Sequence, residues 1–361
     1  MTRNEIIQGD ALEVLRTLPG DSVQCGVTSP PYWGLRDYGV SGQIGLEKTI
    51  DDYLSRMVEV FREVKRVIRP DGTLWMNMGD SYATGGYKAH DKGAAGNKHC
   101  PSGWAKSGRG QGAMSTIGNG LKPKDLCMVP ARLAMALQAD GWWLRSMIPW
   151  LKTNAMPESV KDRPASAVEY VFLLTKSARY YYDAAAVRLP GKDPLDDIRR
   201  INQQHEANKS MVTDKVNGLR PRKDKQRGHA RRHDGFNDRW DSMTKEEQCA
   251  NGRTRRNSDW FFESFRGLYQ VDGDPLAVIV NPKAFAEAHF ATFPPDLIRP
   301  MILAGSRPGD VVLDPFMGAG TTALVCEQLD RKWIGIELNP EYIEIAERRL
   351  KPYREQQRLA I

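Results

Sequence analysis

The chain has 361 residues, 40% of them hydrophobic, with a net charge of +7 and an isoelectric point near 9.1. That length accommodates one large α/β domain and a smaller second module. Apolar runs such as Val171 to Leu174 are too short to cross a bilayer, no signal-peptide core is present, and five scattered cysteines without a Cys-x-x-Cys pair offer neither a zinc site nor a disulfide framework. The expected setting is the cytoplasm, with reduced thiols and no membrane contact.

In chain order, Glu5 to Gln8 reads as a strand and Asp10 as the cap of a helix with Ala11, Leu12, Leu15 and Leu18 on one face. Ser22 to Thr28 is an apolar strand, stopped at Ser29-Pro30-Pro31 because neither proline can donate to a ladder. Tyr53, Met57, Val60, Phe61, Val64 and Val67 define an amphipathic helix over 50–68. Residues 69–72 read as a turn before a strand at 73–78. Glycine, serine, lysine and asparagine dominate 83–120, which reads as a mobile loop. A helix at 129–139 and strands at 142–151 and 167–175 follow.

Residues 188 to about 259 are polar and poorly periodic. Between 188 and 256 there are 18 Lys and Arg against 11 Asp and Glu, an excess that equals the net charge of the whole chain. Such a segment suits a polyanion. An apolar stretch at 275–280 follows. After it come a helix at 294–304, a strand at 310–314, a helix from about 320, a strand at 333–337 and a last helix from Pro340. Strands alternating with helices predict a doubly wound α/β architecture: a mostly parallel sheet covered on both faces.

Two constellations carry chemistry. In the first, the strand Val311 to Asp314 runs into Pro315-Phe316-Met317-Gly318-Ala319-Gly320 and the helix opened by Thr321 and Thr322. The glycines permit close backbone approach, and the helix start offers unpaired amides. A second strand ends about 20 residues later in Glu337, where a carboxylate can accept both hydroxyls of a ribose. The pattern is neither Gly-x-Gly-x-x-Gly nor a P-loop. A tight structural turn would account for the glycines alone; the spaced carboxylate favours an adenosine-containing cofactor.

In the second, Thr28-Ser29-Pro30-Pro31-Tyr32-Trp33 lies at a strand tip. An exocyclic amino group of cytosine or adenine is a poor nucleophile, since its lone pair is delocalised into the ring. Acceptors for its N–H bonds, such as Ser29 Oγ and the carbonyl of Pro30 made rigid by Pro31, favour a pyramidal nitrogen and are preorganised. Tyr32 offers a face to a flipped base, with Trp33 beside it. A strand stop followed by core aromatics is the competing reading.

Ser29-Pro30-Pro31-Tyr32 together with Asp314-Pro315-Phe316-x-Gly318-x-Gly320 resembles the amino-methylating DNA methyltransferases, in which the first motif is catalytic and the second binds cofactor. The catalytic motif comes first here, as in the circularly permuted beta class. The resemblance covers most of 1–190 and 285–350. It implies a Rossmann-like, S-adenosylmethionine-dependent methyltransferase fold with an inserted target-recognition region. The catalytic half would be residues 1–187, the basic target-recognition region 188–275 and the cofactor half 276–361.

The resemblance also implies further site residues. Gln8-Gly9-Asp10 is similar to the element whose Asp contacts the cofactor adenine, and the segment from His289 to Pro294, with Phe290 and Phe293, to the one enclosing the methionine end. With Asp314, Phe316, Gly318, Gly320, Thr321, Thr322, Glu337 and Asn339 they make the expected S-adenosyl-L-methionine site. Asp162-Arg163-Pro164 and Glu169 to Leu174 resemble a core block that is mainly structural, with some contact to DNA. Trp33, Arg222, Lys223, Lys225, Arg227, Arg231 and Arg232 are the expected contacts to double-stranded DNA.

Ser at the first catalytic position goes mainly with cytosine N4 in this family, and Asp or Asn with adenine N6, so Ser29 leans toward cytosine. No metal is expected: the histidines are scattered, and His229 and His233 sit among Arg231, Arg232 and Asp234. A methyltransferase acting on RNA or a protein amide needs no large basic insertion and usually has the reverse motif order. A degenerate, non-catalytic DNA-binding protein is opposed by the intact motifs. The resemblance implies a bacterial, prophage or phage setting. It is compatible with a homodimer and with a cognate restriction endonuclease, and indicates neither.

Overall fold

The computed structural model describes residues 4–35, 37–83, 120–152, 162–164, 166–187, 270–271, 274–275, 278–280 and 293–359. The chain divides into two compact units, Met1–Ala186 with Asn257–Ile361 and Val187–Arg256. The expected loop at 83–120 and the basic segment from 188 lie almost wholly outside the described residues.

The described strands, all in the first unit, are β1 (Glu5–Gln8), β2 (Val23–Thr28), β3 (Ile68–Met78), β4 (Trp143–Leu151), β5 (Val168–Thr175), β6 (Gln270–Val271), β7 (Asp274–Pro275), β8 (Val278–Ile279), β9 (Val311–Asp314) and β10 (Lys332–Glu337). The described helices of that unit are α1 (Ala11–Thr17), α2 (Ile50–Val67), α3 (Val129–Ala139), α4 (Pro295–Gly305), α5 (Thr321–Gln328) and α6 (Pro340–Leu359). Eight strands form one sheet in the order β1-β10-β9-β2-β3-β5-β4-β8, and β6 pairs with β7. Every pairing in the large sheet is parallel except those of β5, which runs antiparallel to both neighbours.

Both faces of the sheet are covered, as the alternation of strands and helices predicts. Leu74, Met76, Phe172, Leu174, Val311, Leu313, Ile334 and Ile336 share one core with the apolar faces of α1, α2 and α3. The intervening residues point the other way, because side chains alternate along a strand. Gly305 closes α4 on that second face: a Cβ there would meet Cys25 Sγ and Thr73 Oγ1, both at 2.7 Å. α4, α5 and α6 contact one another in series.

Local sequence accounts for the elements. Asp10 Oδ1 accepts from the Leu12 and Glu13 amides, capping α1, and Thr49 Oγ1 caps α2 through the Asp52 amide at 3.1 Å. α2 buries Ile50, Tyr53, Met57, Val60, Phe61, Val64 and Val67, a helical stripe. It begins with Asp51 and Asp52 and ends with Lys65 and Arg66, matching its dipole. The strand bounds are corrected: β3 begins at Ile68, not Thr73. Residues 69–72 nevertheless loop out of the ladder as the expected turn: Val23 pairs with Ile68 and Cys25 with Thr73, and a Cβ on Gly72 would lie 2.5 Å from Ile68 Cγ2.

The sheet reverses its winding between β9 and β2. From β9 the chain passes through α5 to β10 on one side; from β2 it passes through α2 to β3 on the other. In such sheets ligands bind outside the carboxyl ends of the strands at this switch point.

Candidate active site

A cavity of about 260 Å³ lies at that point. Gly9 and Asp10 after β1, Pro315 to Ala319 after β9 and Glu337 to Asn339 at the end of β10 line one part. Ser29 to Tyr32 after β2, Asn77 in β3, Trp150 and Lys152 at the end of β4 and Glu169 in β5 line another. Leu35, Tyr38, Val40 and Ile44, from the segment between Tyr32 and α2, line a further wall with Tyr342 of α6. The rings of Tyr38 and Tyr342 meet edge to face, 6.3 Å apart.

In the first part Glu337 is held by backbone amides. Its Oε2 accepts from Gly318 at 2.8 Å and its Oε1 from Asn339 at 2.8 Å. Burial pushes its carboxyl above the usual range, against the pull of these amides. Gly318 has φ +52°, and a Cβ on it would meet no atom within 4 Å. The glycine thus leaves open space beside a fixed carboxylate, as a nucleoside requires. Phe293, Phe316, Thr321 and Asn339 line the same part. These residues fit an adenosine-containing group.

Asp314, Gly320 and Thr322 are placed differently. Asp314 is 2% exposed and does not line the cavity. Its Oδ2 accepts from Thr322 Oγ1 at 2.6 Å; its Oδ1 accepts from Thr28 Oγ1 at 2.7 Å and from the Phe316 amide at 3.1 Å. Burial raises its pKa to about 6, and the two threonine hydroxyls moderate the rise. Gly320 (φ +79°) packs against Ala346 of α6, where a Cβ would come within 2.9 Å. These three residues shape the turn from behind.

In the second part Ser29 and Tyr32 face a polar cluster. Tyr32 Oη donates to Glu169 Oε2 at 2.8 Å, and Ser29 Oγ lies 3.4 Å from Tyr32 Oη. Asn77 Nδ2 is 2.9 Å from Glu169 Oε2, 3.1 Å from Tyr32 Oη and 3.5 Å from Ser29 Oγ. Lys152 Nζ pairs with Glu169 Oε1 and sits 4.4 Å from the Trp150 ring centroid. Burial, then the Glu169 carboxylate, holds the Tyr32 phenol well above its ordinary pKa. Tyr53 Oη of α2 donates to the Pro31 carbonyl at 2.8 Å and fixes the two-proline segment.

Trp33 is a correction. The sequence places it beside the flipped base as a DNA contact, yet it is 1% exposed in the core, with Nε1 donating to the Glu47 carbonyl at 2.9 Å. The apolar ring gains more from that core than from solvent at the strand tip. Phe290, Arg222, Lys223, Lys225, Arg227, Arg231 and Arg232 lie outside the described residues.

The sequence singles out neither Asn77, Trp150 nor Lys152, and it presents Glu169 as part of a mainly structural block. A signal existed for Asn77, a lone amide within the buried run Leu74 to Met78. Glu169 had none of that kind: β5 is antiparallel, so its beginning, not its end, reaches the cavity.

A glycine turn held by a half-buried carboxylate beside a Ser-Pro-Pro-Tyr strand tip, at the switch point of a mostly parallel sheet, is the arrangement expected of a nucleic-acid amino-methyltransferase. A family model described as "DNA methylase", of the N6/N4 type, matches residues 23–348, and the chain belongs to that family. It is a DNA methyltransferase, and its methyl donor is S-adenosyl-L-methionine. The Type II methyltransferase M.Cfr9I of Citrobacter freundii is 44% identical over 348 residues, which is 96% of this chain and 87% of the relative. M.SmaI of Serratia marcescens is 40% identical over 346 residues, 96% of this chain and 90% of the relative. A solved PvuII DNA methyltransferase, described as cytosine-N4-specific, superposes with a TM-score of 0.52 at 19% identity, covering 97% of this chain and 86% of that one. At that identity the likeness concerns the fold. Among the described residues no helix is long and apolar enough to cross a membrane.

Proposed function

We propose that the chain methylates N4 of cytosine within a specific duplex sequence. The observation that carries this reading is Ser29: a neutral hydroxyl lines the cavity at the first position of the catalytic motif, where members of the family that act on adenine N6 mainly have Asp or Asn. S-adenosylmethionine, when bound, supplies an electrophilic methyl on a sulfonium. Asp10, Phe293, Phe316, Gly318, Glu337 and Asn339 would hold it, with the Glu337 carboxylate accepting the ribose hydroxyls. Ser29 Oγ and the Pro30 carbonyl accept the N–H bonds of the target amino group and draw its lone pair out of the ring. Tyr32 stacks on the base, a contact worth about 1–3 kcal/mol.

Basic residues 222–232 would dock the duplex by phosphate contacts. The test is to digest methylated duplex DNA to nucleosides and weigh them by mass spectrometry. N4-methylcytosine is expected. N6-methyladenine would replace the assigned base, and absence of any methylated base would overturn the reading.

A further inference from the structure

The cluster behind Ser29 has a direction. Glu169 lies one residue inside β5, and Lys152 follows β4, the strand paired with it. The Lys152 ammonium takes Glu169 Oε1, and Oε2 receives Tyr32 Oη at 2.8 Å and Asn77 Nδ2 at 2.9 Å. An ionised carboxylate only accepts, and a phenol has one proton. The Tyr32 proton is therefore committed to Glu169, and the Tyr32 oxygen is left to accept. Ser29 Oγ stands 3.4 Å from that oxygen, longer than the usual ~2.8 Å, as catalytic hydrogen bonds often are before substrate binds. Once the single Ser29 proton points at Tyr32, its lone pairs face the cavity. Asn77 has two amide protons, and its nearest acceptors are Glu169 and Tyr32, so it competes little for Ser29.

We propose that Glu169, paired with Lys152, is a positioning residue for methyl transfer: it fixes the hydrogen-bond chain Ser29→Tyr32→Glu169 so that Ser29 can only accept from the target amino group. The same chain carries the proton away. As the nitrogen–methyl bond forms, the methyl–sulfur bond breaks and its electron pair stays on sulfur. The amino nitrogen then holds one proton too many. That proton passes to Ser29 Oγ, the Ser29 proton passes to Tyr32, and the Tyr32 proton passes to Glu169 Oε2. Without Glu169, Tyr32 is free to donate to Ser29, and Ser29 can turn its own proton toward the amino group it must accept from.

The inference rests on amino-group methylation and holds for either base. Glu169→Gln keeps the shape but lets the side chain donate as well as accept; Tyr32→Phe keeps the ring and cuts the chain. Each should lower the single-turnover methyl-transfer rate on duplex DNA roughly 10- to 100-fold. Calorimetric affinity for S-adenosylmethionine and anisotropy-measured affinity for DNA should stay within about twofold. Glu169→Asp, which still only accepts, should recover part of the rate lost in Glu169→Gln. Unchanged rates in both variants would overturn the inference, as would a parallel loss of cofactor affinity, which marks a structural role. A wild-type enzyme that methylates no DNA would instead defeat the underlying functional reading.

Discussion

Thr28 Oγ1 donates to Asp314 Oδ1 at 2.7 Å, joining the ends of two central strands whose residues are 286 apart in sequence. Thr28 immediately precedes Ser29, and Asp314 immediately precedes the glycine turn. The bond therefore sets the catalytic motif against the cofactor motif at the point where the sheet reverses its winding. With Thr322 on its other oxygen, the Asp314 carboxylate is a tie between the two halves of the site.

This tie has a pH dependence of defined sign. The folded pKa of Asp314 is about 6, above its unfolded value of about 3.9. The folded state thus binds the proton more tightly, and the stability this group confers falls as pH rises from about 4 to 6. Asp314→Asn removes the titration. Between pH 7 and pH 5 the wild type should gain about 1 kcal/mol relative to the variant, measured by urea unfolding at both values. A difference that does not change with pH would show that Asp314 is not protonated in this range.

Ser29 and Glu337 should separate chemistry from binding. Ser29→Ala removes an acceptor needed at the reacting nitrogen, so turnover should fall about 100- to 1,000-fold with cofactor affinity unchanged. Glu337→Ala removes the carboxylate fixed by Gly318 and Asn339, so the S-adenosylmethionine dissociation constant should rise about tenfold or more. Calorimetry and single-turnover assays on both variants would expose a reversed pattern, which would mean that the two roles are misassigned.

Trp33 should behave as a core residue. Trp33→Ala should destabilise the fold by about 3–5 kcal/mol, while Trp33→Phe, which keeps most of the apolar volume, should cost much less. Chemical denaturation reads both. Wild-type stability in Trp33→Ala, accompanied by weaker DNA binding, would restore a role at the DNA surface.

The basic segment should reveal itself through salt. Replacing Arg222, Lys223, Lys225 and Arg227 together by Ala should weaken binding to cognate and unrelated duplexes alike. The slope of log affinity against log salt should decrease by about one for each phosphate that the variant no longer neutralises. An unchanged slope would place the phosphate-binding residues elsewhere in the chain.

Much of the fold and part of the site are determined by the sequence alone, because the responsible forces act over a few residues. Asp10 caps α1, two prolines end β2 at Ser29, the apolar stripe of α2 follows the helical repeat, and Gly318 and Gly320 supply a turn with positive φ. Each signal is local and legible in a window of a dozen residues. The pairing of strands and the junctions between distant segments were decided only in the tertiary structure. Thr28 meets Asp314 because β2 and β9 are neighbours in the sheet, and Glu169 reaches Tyr32 because β5 runs antiparallel. Trp33 turns into the core because apolar burial there outweighs exposure at the strand tip. These outcomes depend on which elements pack together, a property of the whole sheet that local periodicity does not encode.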